Sequence, residues 1–273
     1  MAYNIEYYHS YYDIGGTQHR VDLLARDYSG GETAIEKSAG RTPVRVRHVG
    51  GSNKWEDVVI QGQEALFSFY VSRADEATFD SLIESGYKDY RLDYKVDGSL
   101  VFRGWVKPEN ITKDFLKNPP YINIELSATD ALGDLKQEDF PLLSGKLTFL
   151  QILKYALTPV GIDLDFRVQL NTSETNTGAY AHEHEVDARR FFKDRDGRTE
   201  YMSCWDAIEL ILKPFQCVLK QSNGEYVIRN YHERESSDRK FLWSSLAGNG
   251  IPATDNVVDI SSYQVKPGVT HSK

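Results

Sequence analysis

Two histidines in His182-Glu183-His184-Glu185 are the side chains of this sequence best spaced to share a metal ion. On a strand, residues two positions apart point to the same side, and imidazole nitrogens are common ligands of transition metals. No third ligand is evident, and the stretch lies in a polar segment. The pattern therefore favours a solvated loop, with a metal site at His182 and His184 as the alternative.

An acidic stretch, Asp194-Arg195-Asp196-Gly197, resembles the start of a calcium-binding loop. An EF-hand loop needs a bidentate Glu at its twelfth position to complete the coordination of the ion. Trp205 stands at that position here. The pattern therefore indicates an Asp-Gly turn rather than a calcium site.

Catalytic motifs are absent from the sequence. It contains no G-x-S-x-G, no P-loop and no G-x-G-x-x-G, the patterns that mark serine hydrolases, phosphate-binding loops and dinucleotide sites. The acidic pairs Asp163/Asp165 and Asp89/Asp93 have a spacing that any solvent-facing strand shows, and glycosidase carboxylates are defined by their spatial separation. We therefore predict a protein with no catalytic residue and no cofactor, which is not an enzyme.

The two cysteines, Cys204 and Cys217, do not form a disulfide framework. One opens a predicted helix and the other lies in the predicted strand that follows, so a bridge is possible but not required. The favoured interpretation is two free, buried thiols in a reducing compartment.

A tyrosine cluster occupies the N-terminus. Such rings could form a platform for sugars, or they could belong to a strand of a barrel or an interface with a neighbouring subunit. The position at the chain end favours the strand or interface reading. Its members are Tyr3, Tyr7, Tyr8, Tyr11 and Tyr12.

The composition favours strands over helical bundles. The chain of 273 residues holds 17 Tyr and 12 Phe against 2 Met, and aromatic residues fit pleated, half-buried surfaces. This length is enough for two domains of roughly 100–150 residues. Trp105 and Trp205 lie in apolar surroundings, which predicts core positions for both.

The net charge of −8, with basic and acidic residues interleaved, argues against duplex nucleic acid as a partner. No apolar run approaches the ~20 residues that a membrane-spanning helix needs. The N-terminus also lacks the basic and apolar regions of a secretory signal. We therefore expect a protein that is made in the cytoplasm and is assembled there.

The first half of the chain alternates strand patterns with turn signals. Residues 42–49 place valines and arginines alternately, and Asp97-Gly98 is typical of a hairpin turn. Ser72-Arg73-Ala74-Asp75 matches a capping box, and the apolar residues after it predict a short helix. The pattern predicts a β-barrel-like domain over residues 1–139, with this helix plugging one end of the barrel.

The second half repeats a helix followed by a strand. Helices are expected to begin after Thr148 and Ser203, and each ends at a proline, Pro159 or Pro214. We predict a smaller α+β domain over residues 140–233. Residues 234–273 would be a polar loop and the start of a further β domain, with a strand at 257–265. The fold class is thus β-rich α+β.

Three sequence blocks resemble baseplate hub (tail-tip) proteins of bacteriophage tails. Residues 100–108 (LVFRGWVKP) and 121–136 (YINIELSATDALGDLK) are similar to the family patterns F-x-G-x-(V/L)-x-P and A-x-D-x-L-G-x-L-K in the N-terminal domains. The block that contains residues 203–215 (SCWDAIELILKPF) and 221–229 (QSNGEYVIR) is similar to the second domain. The likeness covers roughly residues 43–136 and 145–230.

The resemblance implies a virion structural protein of the tail tip, assembled in the bacterial host cytoplasm. It implies self-association, with a trimer expected, in which the barrel-like domains form a hub ring. The implied partners are the tail tube or distal tail protein on one side and a spike or fibre protein on the other. Family members are commonly longer and carry a further barrel. A carbohydrate-binding β module for cell-surface attachment is the alternative function.

Overall fold

The computed structural model describes residues 2–35, 37–38, 43–49, 58–113, 120–169, 184–195, 198–230, 237–244 and 256–259. Strands make up 51% of the described residues, and helices are few among them. This composition confirms the predicted β-rich α+β class.

The described residues up to position 139 are organised mainly as strands. Residues 73–79, 108–110 and 132–136 form 3-10 turns, and α1 (Asp80–Ile83) is a single helical turn. The strands are β1 (Tyr3–Tyr12), β2 (Gln18–Arg26), β3 (Thr33–Ala34), β4 (Lys37–Ser38), β5 (Val44–Val49), β6 (Ile60–Ser72), β7 (Tyr90–Val96), β8 (Ser99–Val106), β9 (Thr112–Lys113) and β10 (Tyr121–Thr129).

The later residues combine helices and short strands. Residues 158–160, 188–191 and 213–215 form further 3-10 turns. The main elements are β11 (Lys146–Thr148), α2 (Phe149–Leu157), β12 (Phe166–Gln169), β13 (Glu185–Asp187), β14 (Phe192–Arg195), β15 (Arg198–Tyr201), α3 (Cys204–Leu212), β16 (Cys217–Ser222), β17 (Glu225–Asn230), β18 (Ser237–Phe241) and β19 (Asn256–Asp259).

One hydrogen-bonded sheet runs through both halves of the described chain. Its strand order is β19-β18-β12-β17-β16-β6-β10-β8-β7-β2-β1-β3, with β4 and β5 on β6 and β9 on β10. The two halves are joined where β16 pairs with β6 in parallel, with Leu219 opposite Ile60. The strand path is open, and no closed barrel is detected among the described residues.

Tight turns form where the sequence predicts them. Asp97 and Gly98 both have positive φ, 48° and 77°, between Val96 and Ser99 of the β7–β8 hairpin. The β16–β17 hairpin has the same geometry, with φ of 51° and 71° at its two central residues, Asn223 and Gly224. Such turns match the natural twist of the strands they connect, which is why they fix the register of both hairpins.

The predicted helix after Ser72 differs from expectation. Ser72 is still part of β6, the following seven residues form a 3-10 segment, and α1 has no side-chain cap. Phe79 and Leu82 are nevertheless buried against the strands, whereas Ile83 is exposed. The segment thus supplies the expected apolar contacts through a tighter backbone than an α-helix.

The predicted caps of the two longer helices are confirmed. The Thr148 hydroxyl accepts a hydrogen bond from the Gln151 amide, and the Gln151 side chain accepts one from the Thr148 amide. Ser203 accepts from the Asp206 amide at 3.1 Å. Each proline that was expected to end a helix lies in a 3-10 turn, and β12 and β16 follow these turns.

Two hydrophobic clusters form the interior. One lies among β1, β2 and β6–β10 and includes Phe67, Phe69 and Phe102. The other is built around α2, α3 and β12–β17. Ile60 and Trp105 belong to the second cluster although their strands, β6 and β8, also serve the first.

The end of the predicted C-terminal strand lies outside the described residues. The described part, β19, pairs with β18 and so extends the main sheet. The domain boundaries at 139/140 and 233/234 remain predictions. No helix of the described residues is long and apolar enough to cross a membrane.

Candidate functional site

The sequence blocks that resemble tail hubs meet at one place in the fold. Strands β8 and β10 pair where Trp105 faces Thr129 and Val106 faces Ala128. A Cβ atom on Gly104 would lie 2.6 Å from the Thr129 carbonyl oxygen. The glycine of the F-x-G-x-V-x-P block is therefore needed so that the two strands can approach each other.

The third block reaches the same place through its hairpin. The Gln221 side chain accepts a hydrogen bond from the Arg103 amide at 3.1 Å and donates one to the Arg103 carbonyl at 2.9 Å. The Gly224 amide donates to the Val101 carbonyl at 3.1 Å. Gln221 is fully buried, so its amide satisfies backbone groups that would otherwise lack partners. We call this meeting point of β8, β10 and the β16–β17 hairpin the motif junction.

Trp105 is a core residue at the motif junction, as predicted, and belongs to the cluster around α2 and α3, whereas Phe102 and Val106 of the same strand belong to the other cluster. Its indole nitrogen donates to the Val160 carbonyl at 2.7 Å, and its ring lies 5.1 Å from that of Tyr3. Trp205, predicted as core, is only half-buried. Its indole nitrogen donates to Glu209 and the Lys136 ammonium lies 4.5 Å from its ring centre.

Asp130, the acidic residue of the A-x-D-x-L-G-x-L-K block, is a buried structural carboxyl. It accepts hydrogen bonds from the Gln63 amide at 2.5 Å and the Leu132 amide at 3.1 Å. Burial raises the pKa of Asp130 to about 7, although the two backbone hydrogen bonds favour the charged form and lower it. The side chain therefore holds β6 against the turn that follows β10.

Two buried carboxyls form the centre of a charge lattice on the outer face of β2, β7 and β8. Asp22 lies directly opposite Asp93 in the β2–β7 register, and both are almost fully buried. Like charges opposite each other on neighbouring strands repel. The lattice is stabilised because cations surround the pair: Arg20 and Lys95 contact Asp22, and Arg91 and Arg103 contact Asp93.

The contacts within the charge lattice are short. Arg20 Nε lies 2.6 Å from Asp22, and Lys95 Nζ lies 2.7 Å from it. Arg103 binds Asp93 through two nitrogens, at 2.9 Å and 2.6 Å. The interpretation of the Asp89/Asp93 spacing as a solvent-facing pattern is thus wrong for Asp93. The alternation of charged and apolar residues along β7 places Asp93 on a buried, ion-paired face of this strand.

The N-terminal tyrosines do not form one platform. Tyr7 is buried and stacks on Phe79 at 4.7 Å, and the Tyr11 ring lies parallel to His19 at 4.9 Å. Tyr8 faces the Arg20 guanidinium, whereas Tyr12 is 68% exposed. The rings separate because successive residues of a strand point to opposite sides, so most of the cluster serves the strand, as the favoured reading predicts.

The candidate metal and calcium residues are only partly described. His182 lies outside the described residues, and the His184 carbonyl accepts a hydrogen bond from the Phe149 amide at 3.2 Å. Within the described residues, no group of three or more His, Cys, Asp or Glu side chains could hold a metal ion. Asp194 pairs with Thr199 in the β14–β15 hairpin, whose connecting residues 196–197 are not described.

Both cysteines are free and buried, as predicted. Burial raises the pKa of the Cys204 thiol to about 12, and nearby Glu138 and Asp139 raise it further. A thiol held in this protonated form is a poor nucleophile and a poor metal ligand. Cys204 is therefore a core residue of α3.

An apolar groove of about 610 Å³ lies beside β13 and β14. Leu142, which is 60% exposed, and Phe192 contribute apolar surface, and the Asp187–Arg189 ion pair at 2.8 Å stands at its edge. Exposed apolar surface with a polar rim is a common property of protein interfaces.

The chain is similar to two solved tail proteins. One is the 43 kDa tail protein of prophage MuSo2 from Shewanella oneidensis, at 16% identity and a TM-score of 0.37, over 71% of this chain and 56% of that one. The other is the tail protein from Neisseria meningitidis MC58, at 17% identity and a TM-score of 0.38, over 68% of this chain and 49% of that one. This chain thus spans about half the length of each.

No family model and no curated protein matches the sequence.

Proposed function

We propose that this chain is a non-enzymatic structural component of a phage-type tail, a baseplate hub protein that forms a ring between the tail tube and spike or fibre proteins. The observation that carries the proposal is the motif junction. The residues that resemble the hub family are used there for strand pairing, for backbone hydrogen bonds and for joining two hydrophobic clusters. The proposal rests on this junction and on the sequence resemblance, not on the partial superpositions.

Buried polar side chains of the three blocks form hydrogen bonds with the backbone of other segments of the chain. Gln221 bonds both polar groups of the Arg103 backbone, Trp105 bonds Val160, and Asp130 bonds two backbone amides. Buried polar groups that are satisfied in this way specify one arrangement of the elements around them. A ring subunit needs such a fixed relation between its parts, because each subunit must present the same surfaces to its neighbours.

The proposed N-terminal barrel would close through the residues around Ile35. Strand β3 pairs with β1, and β4 pairs with β6 only two residues later. Between them, the Ile35 amide donates to the Tyr8 carbonyl at 2.7 Å. If this segment bridges β1 and β6, the Ile35 amide exchanges slowly with solvent deuterium. Exchange as fast as in an exposed loop would contradict the closure.

The oligomeric state of the full chain tests the proposed function. We expect light scattering to give a closed oligomer, threefold in symmetry, when the chain is concentrated or mixed with the tail proteins encoded beside it. Electron microscopy of these particles would show a ring, and antibodies against the chain would label the tail tip of the virion. A chain that stays monomeric in both conditions would contradict the hub proposal.

A further inference from the structure

A cavity of about 370 Å³ opens at the end of the N-terminal sheet, between β1, β2 and the α1–β7 connection. This volume lies in the range of small-molecule sites, roughly 300–1,000 Å³. Its lining combines two aromatic side chains with charged and hydroxyl groups: Tyr28, Tyr90, Glu6, Arg26, Asp89 and Ser81. Five of the eight lining residues are charged or are serines, so this open cavity offers mainly hydrogen-bonding groups beside the two tyrosine rings.

The ring of Tyr28 is held in place at the cavity wall. Its hydroxyl donates to the Gly31 carbonyl at 2.9 Å, and the Asn4 side chain donates to its carbonyl at 2.6 Å. A Cβ atom on Gly30 would lie 2.3 Å from the Tyr28 hydroxyl oxygen. The ring can therefore fold back over this turn only because residue 30 is glycine.

The polar groups of the cavity offer both acceptors and donors. The Tyr90 hydroxyl donates to the Glu6 carboxylate at 2.6 Å, and Ser81 Oγ lies 3.2 Å from this hydroxyl. Arg26 contacts Asp89 at 2.5 Å, so these two charges neutralise each other. A guanidinium has five N–H donors, and Arg26 keeps some of them beyond the contact with Asp89.

The charge that is left after Arg26 and Asp89 neutralise each other determines which ligands the cavity can bind. The Glu6 carboxylate takes part in no ion pair among the described residues, so the cavity carries one net negative charge and disfavours anions. A neutral guest with adjacent hydroxyls can donate to Glu6, accept from Arg26 and rest its apolar face on the Tyr28 ring. We propose that this cavity binds a single pyranose ring of a neutral sugar.

Sugar binding in this cavity is independent of the proposed tail function and involves residues outside the motif junction. This site differs from the sugar platform that the N-terminal tyrosine cluster was an alternative for. The N-terminal rings predicted for that role are divided between the interior and the two faces of β1, whereas Tyr28 and Tyr90 line a concave site.

Ligand-observed saturation-transfer NMR on the full chain tests the proposal. The probes are methyl α-D-glucopyranoside, methyl β-D-galactopyranoside and N-acetyl-D-glucosamine, with lysine amide as a cationic competitor. We expect transfer to at least one sugar. Glu6→Gln should weaken its affinity about tenfold, because one charge-assisted hydrogen bond is lost. Tyr28→Ala should abolish the transfer.

Matched variants outside the cavity serve as controls. Glu32→Gln removes an exposed carboxylate and Tyr12→Ala removes an exposed ring, and both should leave sugar binding unchanged. Glu6→Gln keeps an oxygen that accepts from Tyr90, so it decides the matter even if Tyr28→Ala fails to fold. The proposal is overturned if no sugar shows transfer, if Glu6→Gln binds sugar as well as the original chain does, or if only lysine amide binds. None of these results bears on the oligomer, which light scattering measures independently.

Discussion

At the scale of single residues, the described structure relies on buried polar side chains that bond the backbone of distant segments. Gln221 bonds the backbone of Arg103, 118 positions away, and Asp130 bonds that of Gln63, 67 positions away. Such side chains are costly to bury unless every polar atom finds a partner. Each of them therefore fixes one specific arrangement of two segments.

Replacing Gln221 with Leu is expected to lower the free energy of unfolding by about 2–4 kcal/mol. The change keeps the apolar volume but leaves the Arg103 amide and carbonyl unpaired in a buried position, at roughly 1–3 kcal/mol each. Chemical denaturation measures the loss. Gln137→Leu, at an exposed position, is the matched control and should change stability little. Equal effects of the two variants would show that the bridge contributes nothing.

Asp130 should make stability depend on pH. Its pKa of about 7 in the folded chain is above the value of about 3.9 in an unfolded chain. The folded state therefore binds the proton more tightly, and the free energy of unfolding falls as pH rises from about 4 to 7, by up to about 1.4 kcal/mol per pH unit.

The variant Asp130→Asn removes this proton and should flatten that part of the stability–pH curve, whatever its effect on stability at a single pH. Denaturation midpoints between these pH values measure the slope. Asp206→Asn, at an exposed carboxyl of α3, should retain the slope of the original chain. A slope unchanged in Asp130→Asn would contradict the raised pKa.

At the scale of elements, the charge lattice explains how β2 and β7 pair although two aspartates face each other. Each carboxylate is held by two cations, so the repulsion between Asp22 and Asp93 is offset within the same three strands. Buried ion pairs of this kind add little net stability, but removing one partner is costly because a charge remains buried without full compensation.

Arg103→Met is expected to destabilise the chain by about 1–3 kcal/mol, since Asp93 keeps only its contact with Arg91. The loss should persist at high salt because the pair is shielded from solvent. Thermal or chemical unfolding at low and high salt measures it. Arg45→Met on β5, at an exposed position, provides the comparison. If added salt removes the difference between Arg103→Met and the original chain, the lattice behaves as a surface ion pair.

The elements that the sequence predicts well are those specified by neighbouring residues. The Asp97-Gly98 turn and the Thr148 capping box depend on backbone geometry and on bonds within four positions. The short helix predicted after Ser72 forms mostly as a 3-10 segment with one α-helical turn, because the same local signals suit a 3-10 backbone that tertiary packing selects. The burial of Asp93 could not be predicted, since alternating charges look alike on a solvated strand and in an ion-paired sheet.

At the scale of the whole molecule, one sheet and shared strands couple the two hydrophobic clusters. Strand β6 contributes Phe67 to one cluster and Ile60 to the other, so the cluster around α2 and α3 is incomplete without the first half of the chain. The sequence predicts two domains from the change in pattern near residue 140. It could not predict this sharing, because the pairing of β16 with β6 joins residues far apart in the chain.

A fragment of residues 1–139 is expected to be less stable than the full chain by at least about 2 kcal/mol. Removing the second half exposes Ile60 and Trp105, which are buried in the full chain, and uncovering large apolar side chains costs roughly 1.5–3 kcal/mol each. Denaturant midpoints and binding of a hydrophobic dye measure the difference, with the full chain as control. A fragment as stable as the full chain would show that residues 1–139 form an independent domain.

The short pairing of β16 with β6 also has a mechanical consequence. Among the described residues, these strands face each other at only two positions, Leu219 with Ile60 and Lys220 with Gln61, and the Gln221 bridge lies beside them. A pull that separates the two halves of the molecule would load these few bonds together with the cluster around α2 and α3, which contains Ile60 and Trp105 from the first half. We expect the β16–β6 pairing to separate under tension together with this cluster, and Gln221→Leu should lower the force that is needed.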